Sequence, residues 1–196
     1  MAHFVEFDCY LIPATGRAGR WIATLGAACA IALAYFLAAR LGLSLLAKPS
    51  DVAVFWPASG IAAAILIAAG RRVGVALVLG VMVGSVAANL MSDRTLSTSI
   101  LKAFWNAGEA VLLAWLLDRW FGRPFTFCDL HRVGGFFAAV GVAVSISAVC
   151  GAVTMITLQA AAPFWDVWRT WFLPDAVGIL VVAPRGLPPH GRRLGT

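Results

Sequence analysis

The sequence predicts an all-α fold: a polytopic integral membrane helix bundle of about six transmembrane helices. Three observations carry this. Hydrophobic residues make up 61% of the 196 and charged residues 12%, against roughly 45–50% and 25% in soluble domains; the mean hydropathy is +0.88. Six apolar runs follow one another along the chain, several near the roughly 20 residues that a hydrocarbon core demands. The charges fall mostly in the short segments between those runs.

The first run, residues 21–39, follows Arg17 and Arg20. It is longer than the 7–15 apolar residues of a signal peptide, so a retained anchor is expected. The second run, residues 55–70, is short and opens with Trp56-Pro57. Proline fits the first turn of a helix, and tryptophan favours a membrane interface. The third, residues 73–91, carries Gly80 and Gly84 in a G-x-x-x-G spacing. The fourth covers residues 100–117. The fifth, residues 133–159, exceeds what a bilayer needs and is expected to tilt, kink or leave the lipid. The sixth, residues 167–183, holds Pro174 and Asp175 in its middle.

Orientation follows from the basic residues. With the N-terminus inside, ten arginines fall in cytoplasmic segments, among them Arg119, Arg123, Arg132 and Arg185. Five basic residues fall on the other side: Arg40, Lys48, Arg94, Lys102 and Arg169. The excess places both termini in the cytoplasm. It also accounts for the net charge of +6 without nucleic acid, which is not expected as a partner. Cys9, Cys29, Cys128 and Cys150 have neither redox nor zinc-ribbon spacing. Cys128 and His131 alone are two ligands and not a site. No metal and no cofactor is expected.

The polar residues inside the runs are the informative ones. A carboxylate such as Asp175 costs roughly 2.5–3.5 kcal/mol at the centre of a membrane helix. It should face the bundle interior and find a donor. Pro174 lacks an N–H, so the Thr170 carbonyl four residues earlier loses its partner and a local polar pocket is expected. Ser99, Lys102, Asn106 and Glu109 are spaced 3, 4 and 3 residues apart, which aligns them in one stripe. Such a stripe is either a helix–helix lock or a cavity wall. Asp175 is expected to be held chiefly by Asn106, with Glu109 nearby and Lys102 reaching toward the surface. Two carboxylates at close range do not readily both ionise, so the pair would share a proton or hold a cation or polar ligand. Arg169, at the outer end of the last run, joins the candidate set. Gly80 and Gly84 read as packing within one bundle or as the face of a homodimer.

At three blocks the sequence resembles the first family of bacterial membrane-associated sensor domains, the MASE type. They are "FWPASGIAAAILIAAG" (residues 55–70), "NAGEA" within "FWNAGEAVLLAWLLDRWFG", and "WFLPDAVGILVVAP" ending at Pro184. Trp56, Pro57, Ser59 and Gly60 match the first block. Asn106 and Glu109 match the second, and Trp171, Asp175, Gly178 and Pro184 the third. The resemblance implies a sensory input module of the bacterial inner membrane that catalyses nothing itself. It also implies a histidine kinase or diguanylate cyclase as the output partner, normally fused. A small ligand or a membrane partner protein would supply the stimulus. Similar domains continue into further spans, about eight in all, whereas here "RGLPPHGRRLGT" follows. The reading is therefore of a truncated, frame-altered or stand-alone module lacking its output domain.

Three segments result: a cytoplasmic segment over residues 1–20, the embedded domain over 21–184, and a mobile basic Pro/Gly-rich tail over 185–196. Two other functions stay open from the residues alone. The polar groups could line the path of a small-solute or ion transporter, or the bundle could be a passive anchor or assembly module.

Overall fold

The computed structural model describes residues 17–47, 52–53, 55–69, 74–92, 94–159 and 163–187. Most of the N-terminal segment and residues 188–196 lie outside the described residues, and so does most of the tail expected to be mobile. Six helices stand where the six apolar runs were read: α1 (Arg17–Ser44), α2 (Pro57–Ala69), α3 (Gly74–Leu90), α4 (Leu96–Phe121), α5 (Leu130–Gln159) and α6 (Phe164–Gly186). Two short strands, β1 (Leu46–Ala47) and β2 (Val52–Ala53), pair antiparallel between α1 and α2. Their four residues leave the fold all-helical.

Helices α1, α4, α5 and α6 outrun their apolar runs, and polar residues finish the ends of α4 and α5. Thr95 caps α4, its Oγ1 accepting from the Thr98 N–H at 3.4 Å, so this helix starts one turn before the apolar run. It stops at Gly122, whose φ of +70° suits glycine and whose N–H donates to the Asp118 carbonyl at 3.0 Å. Asp129 caps α5, accepting from the Arg132 N–H at 2.7 Å. That bond holds the Asp129 carboxyl below its ordinary range. At the far end α6 continues through Gly186, and Leu187 is buried. Helix α6 thus runs past Pro184, after which the tail was expected to begin. Residues 185–187 belong to the bundle, because Gly186 packs on Ala64 of α2.

Helix α1 packs on α2 and α3, α3 on α4, α4 on α5, and α5 on α6; α6 closes the ring onto α2. Helix α2 also meets α4, and nine of its 13 residues are buried. Thirteen residues rise only about 20 Å, short of a hydrocarbon core of about 30 Å. This central helix depends on its neighbours for cover. Packing is inside-out relative to a soluble core. Alanines such as Ala39, Ala63, Ala143 and Ala183 are fully enclosed, while Leu33, Leu37 and Leu41 form an exposed stripe on α1. In lipid, small residues let backbones approach and large apolar side chains cost nothing outside. Gly80 and Gly84 do this within the chain. A Cβ on Gly80 would stand 2.6 Å from the Ala28 carbonyl oxygen, and one on Gly84 would strike that of Ala32. They seat α3 on α1.

Three segments, Trp21–Ser44, Leu96–Phe121 and Leu130–Leu158, are long and apolar enough to cross a membrane; α2 and α3 are shorter apolar helices. Contacts fix the directions. Gly80 over Ala28 and Gly84 over Ala32 make α1 and α3 parallel. Gly60 beside Gly178 and Ala64 beside Gly186 do the same for α2 and α6. The chain runs up and down through the bundle.

Candidate ligand site in the helix bundle

The two proline motifs build a crossing of α2 and α6. Pro57 opens α2, where its missing N–H is no loss. The N–H of Trp56, just before it, donates to the Pro174 carbonyl at 3.1 Å. The interhelix bond thus forms at Pro174's own carbonyl, one turn beyond the Thr170 carbonyl that the sequence marked. Gly178 lies against the Trp56 carbonyl, and Gly60 against the Gly178 carbonyl; a Cβ at either would collide with backbone. The Trp56 ring covers Gly42 of α1, where a Cβ would come within 2.8 Å of it.

A polar cluster sits on this crossing. Asp175 and Glu109 are 5% and 2% exposed. Asp175 meets Ser59 in the first turn of α2, with Trp171 one turn back on α6 and Lys102 of α4 near enough to act on its charge. That first turn is the positive end of the α2 dipole, which favours an anion. Glu109 also reaches Ser59, together with Ser147 of α5, and lies within electrostatic range of Asp175. Tyr35 of α1 is fully enclosed, close to Trp56 and to Ser85 of α3, and within range of both carboxylates. Each of the six helices thus supplies at least one side chain: Tyr35, Ser59, Ser85, Glu109, Ser147 and Asp175, with Lys102 and Trp171 besides.

The hydrogen bonding of this cluster is incomplete. Among the described residues, Tyr35 Oη, Ser59 Oγ, Glu109 Oε2 and Trp171 Nε1 are buried without an aligned partner. A buried polar group left unpaired costs about 1–3 kcal/mol, and native interiors hold few of them. Here all four belong to one neighbourhood, and three can donate. Lys102 is half-buried, with Nζ 5.3 Å from the centroid of the Trp171 ring. It supplies the local positive charge. The ring itself lies flat on Gly151 of α5, where a Cβ would come within 2.6 Å.

Not every candidate joins the cluster. Asn106 is buried but donates to Ser85 Oγ at 3.3 Å, not to Asp175. Three residues on a helix turn 300°, so Asn106 and Glu109 differ by about 60° in direction. Asn106 meets α3 and Glu109 meets α2. Ser59 takes the place beside Asp175 that had been given to Asn106. Arg169 is exposed and pairs with Asp166 on its own helix, outside the cluster. Lys102 lies over Trp171 beside Asp175, where a reach to the surface had been expected. Tyr35, Ser85 and Ser147 went unnoticed in the sequence. For Tyr35 a signal existed: it is one of two tyrosines in the chain, and it stands deep in an apolar run instead of at the interface that tyrosine favours. Serines in apolar helices give no such signal. Among the described residues no group of three or more His, Cys, Asp or Glu gathers as a metal set.

No match was found among curated proteins or among solved structures. The MASE1 family model matches residues 27–189, a stretch that contains Tyr35, Ser59, Glu109 and Asp175 and both halves of the α2–α6 crossing. The chain belongs to the MASE1 family of membrane-associated sensor domains.

Proposed function

We propose that this membrane sensory domain is the input module of a bacterial two-component or cyclic-di-GMP signalling protein. It lies in the inner membrane, crosses it six times and keeps both termini in the cytoplasm. It binds and couples, and does no chemistry. The observation that carries this reading is the enclosed cluster in which Asp175 and Glu109 both lie beside Ser59 while Tyr35 Oη, Ser59 Oγ, Glu109 Oε2 and Trp171 Nε1 have no aligned hydrogen-bond partner. A pure helix lock would satisfy its polar groups, since each unmet one weakens it. A cluster with two carboxylates and spare donors suits a shared proton, a small cation or a small polar molecule. Occupancy changes the charge between α4 and α6, and α6 leads toward the cytoplasmic side, where a kinase or cyclase output is placed.

The test is a fusion of the chain to a diguanylate cyclase, read as cyclic-di-GMP over a range of media. Asp175→Asn, Glu109→Gln and the double variant should all insert and fold. Each single variant should lock the output, and the double should add little to either, as for coupled neighbours. Parent-like responses in all three would remove the site from the sensing mechanism. Loss of folding alone would make Asp175 a structural lock.

A further inference from the structure

A second site lies at the opposite end of the bundle. Between the end of α4 and the start of α5 is a recess of about 610 Å³, lined by Arg119, Trp120, Phe121, His131, Gly134 and Gly135 among others. We infer that it binds the headgroup of an anionic phospholipid. This inference is independent of the cluster around Asp175.

Depth supports it first. Helix α5 has 30 residues, a rise of about 45 Å, against a hydrocarbon core of about 30 Å. Its excess turns reach the headgroup layer. The recess is lined by its first two turns and by the last turn of α4, where both long apolar segments end. Trp120 is 46% exposed there, at the level that tryptophan prefers.

Charge supports it next. Residues 118–132 carry three arginines and one histidine against two aspartates. Arg123 pairs with Asp118 at 2.8 Å and Arg132 with Asp129 at 3.9 Å. Arg119 and the His131 ring line the recess itself, and no carboxylate does. Asp129 occupies the N-terminus of α5, so an anion must be held by side chains. The walls suit a lipid better than a free ion. Phe121 is fixed by the His131 ring at 5.3 Å and by the Arg132 guanidinium at 5.9 Å. The end of its ring packs against Gly135, while a side chain at Gly134 would meet open space. This leaves an apolar floor under a cationic rim, which is the form of a headgroup with the start of its acyl chains.

The test uses the purified chain in micelles doped with phosphatidylglycerol or phosphatidylcholine, with bound lipid counted by native mass spectrometry. The parent should retain phosphatidylglycerol over phosphatidylcholine. Arg119→Gln should reduce that preference about fivefold, the worth of one cation at a membrane surface. Gly134→Trp, which fills the recess and keeps every charge, should also abolish it. Arg94→Gln, at the other end of the bundle, should leave it unchanged. No preference in the parent, or an equal loss with Arg94→Gln, would overturn the site. Displacement of the lipid by millimolar inorganic phosphate would show an anion site that is not a lipid site.

Discussion

Replacing Gly178 by alanine tests whether α2 and α6 are joined through their backbones. The new Cβ would collide with the Trp56 carbonyl. Backbone cannot rotate aside as a long side chain can, so the start of α2 has to back away. That motion also stretches the bond from the Trp56 N–H to the Pro174 carbonyl, now 3.1 Å. Overpacking costs about 1–3 kcal/mol, and the lost hydrogen bond a further 0.5–1.5 or so. Alanine returns about 1 kcal/mol of helix propensity. The net loss is about 2 kcal/mol, or a fall of about 4–8 °C in midpoint for a chain of this size. Gly108→Ala is the control. It sits mid-helix in α4 with nothing within 4 Å of its would-be Cβ, so the same substitution should stabilise by about 0.5–1 kcal/mol. Thermal unfolding in detergent, followed by tryptophan fluorescence, reads both. A Gly178→Ala midpoint equal to or above the parent's would show that the helices are not locked at this point.

Three further outcomes are expected. With the native cysteines replaced, single cysteines at Ser92 and Thr170 should react with an impermeant thiol reagent from outside the cell and one at Gly122 should not; the reverse pattern would invert the proposed topology. Gly84→Leu should separate α1 from α3 and lower the unfolding midpoint, because its Cβ faces the Ala32 backbone; a folded protein with altered oligomeric state would instead make that glycine a face between chains. Asp129 has a lowered carboxyl value from its cap bond, so its stabilisation is complete above the unfolded value of 3.8 and is lost as pH falls through the lower folded value. The midpoint difference between the parent and Asp129→Ala should therefore be constant at neutral pH and shrink below about pH 4; a difference that persists in acid would mean that the cap does not depend on the charge.

How legible the molecule was depended on the range of the signal. Apolar runs are local, so all six helices were found from composition along the chain. Their ends were less visible because caps are made by single polar residues such as Thr95 and Asp129. The pairing of Asp175 with α4 was half right for a geometric reason. Spacing fixed that Asn106 and Glu109 share a stripe, but not how that stripe divides between α3 and α2. Ser59 was picked from a motif and not from its chemistry. Its role became clear only once Gly60 and Gly178 were seen to bring α2 and α6 together. Tyr35 and Ser147 come from distant helices, and no periodicity within one segment could connect them to Asp175.

The same contacts constrain how the proposed sensor works. Gly60 and Gly178 fix α2 to α6 by backbone contact and by the Trp56 bond. Ser59 and Asp175, one turn or less from that crossing, therefore move as one body. Glu109 faces it from α4, its carboxyl beside Ser59 of α2. Lys102, also on α4, reaches Asp175 from the same side. A gained or lost charge at the pair changes the attraction between α4 and the α2–α6 body, and changes little inside that body. Interfaces of packed helices switch between discrete arrangements more readily than they deform. In the proposed sensor, the displacement expected to carry a signal is a shift of α4 against the α2–α6 unit. α5 is drawn along, since Trp105 of α4 donates to Thr154 of α5 at 2.9 Å and Ser147 donates to the Trp105 carbonyl at 3.4 Å. In this arrangement the two carboxylates face each other across α4 and the α2–α6 unit, and α2 and α6 are themselves joined by backbone contact.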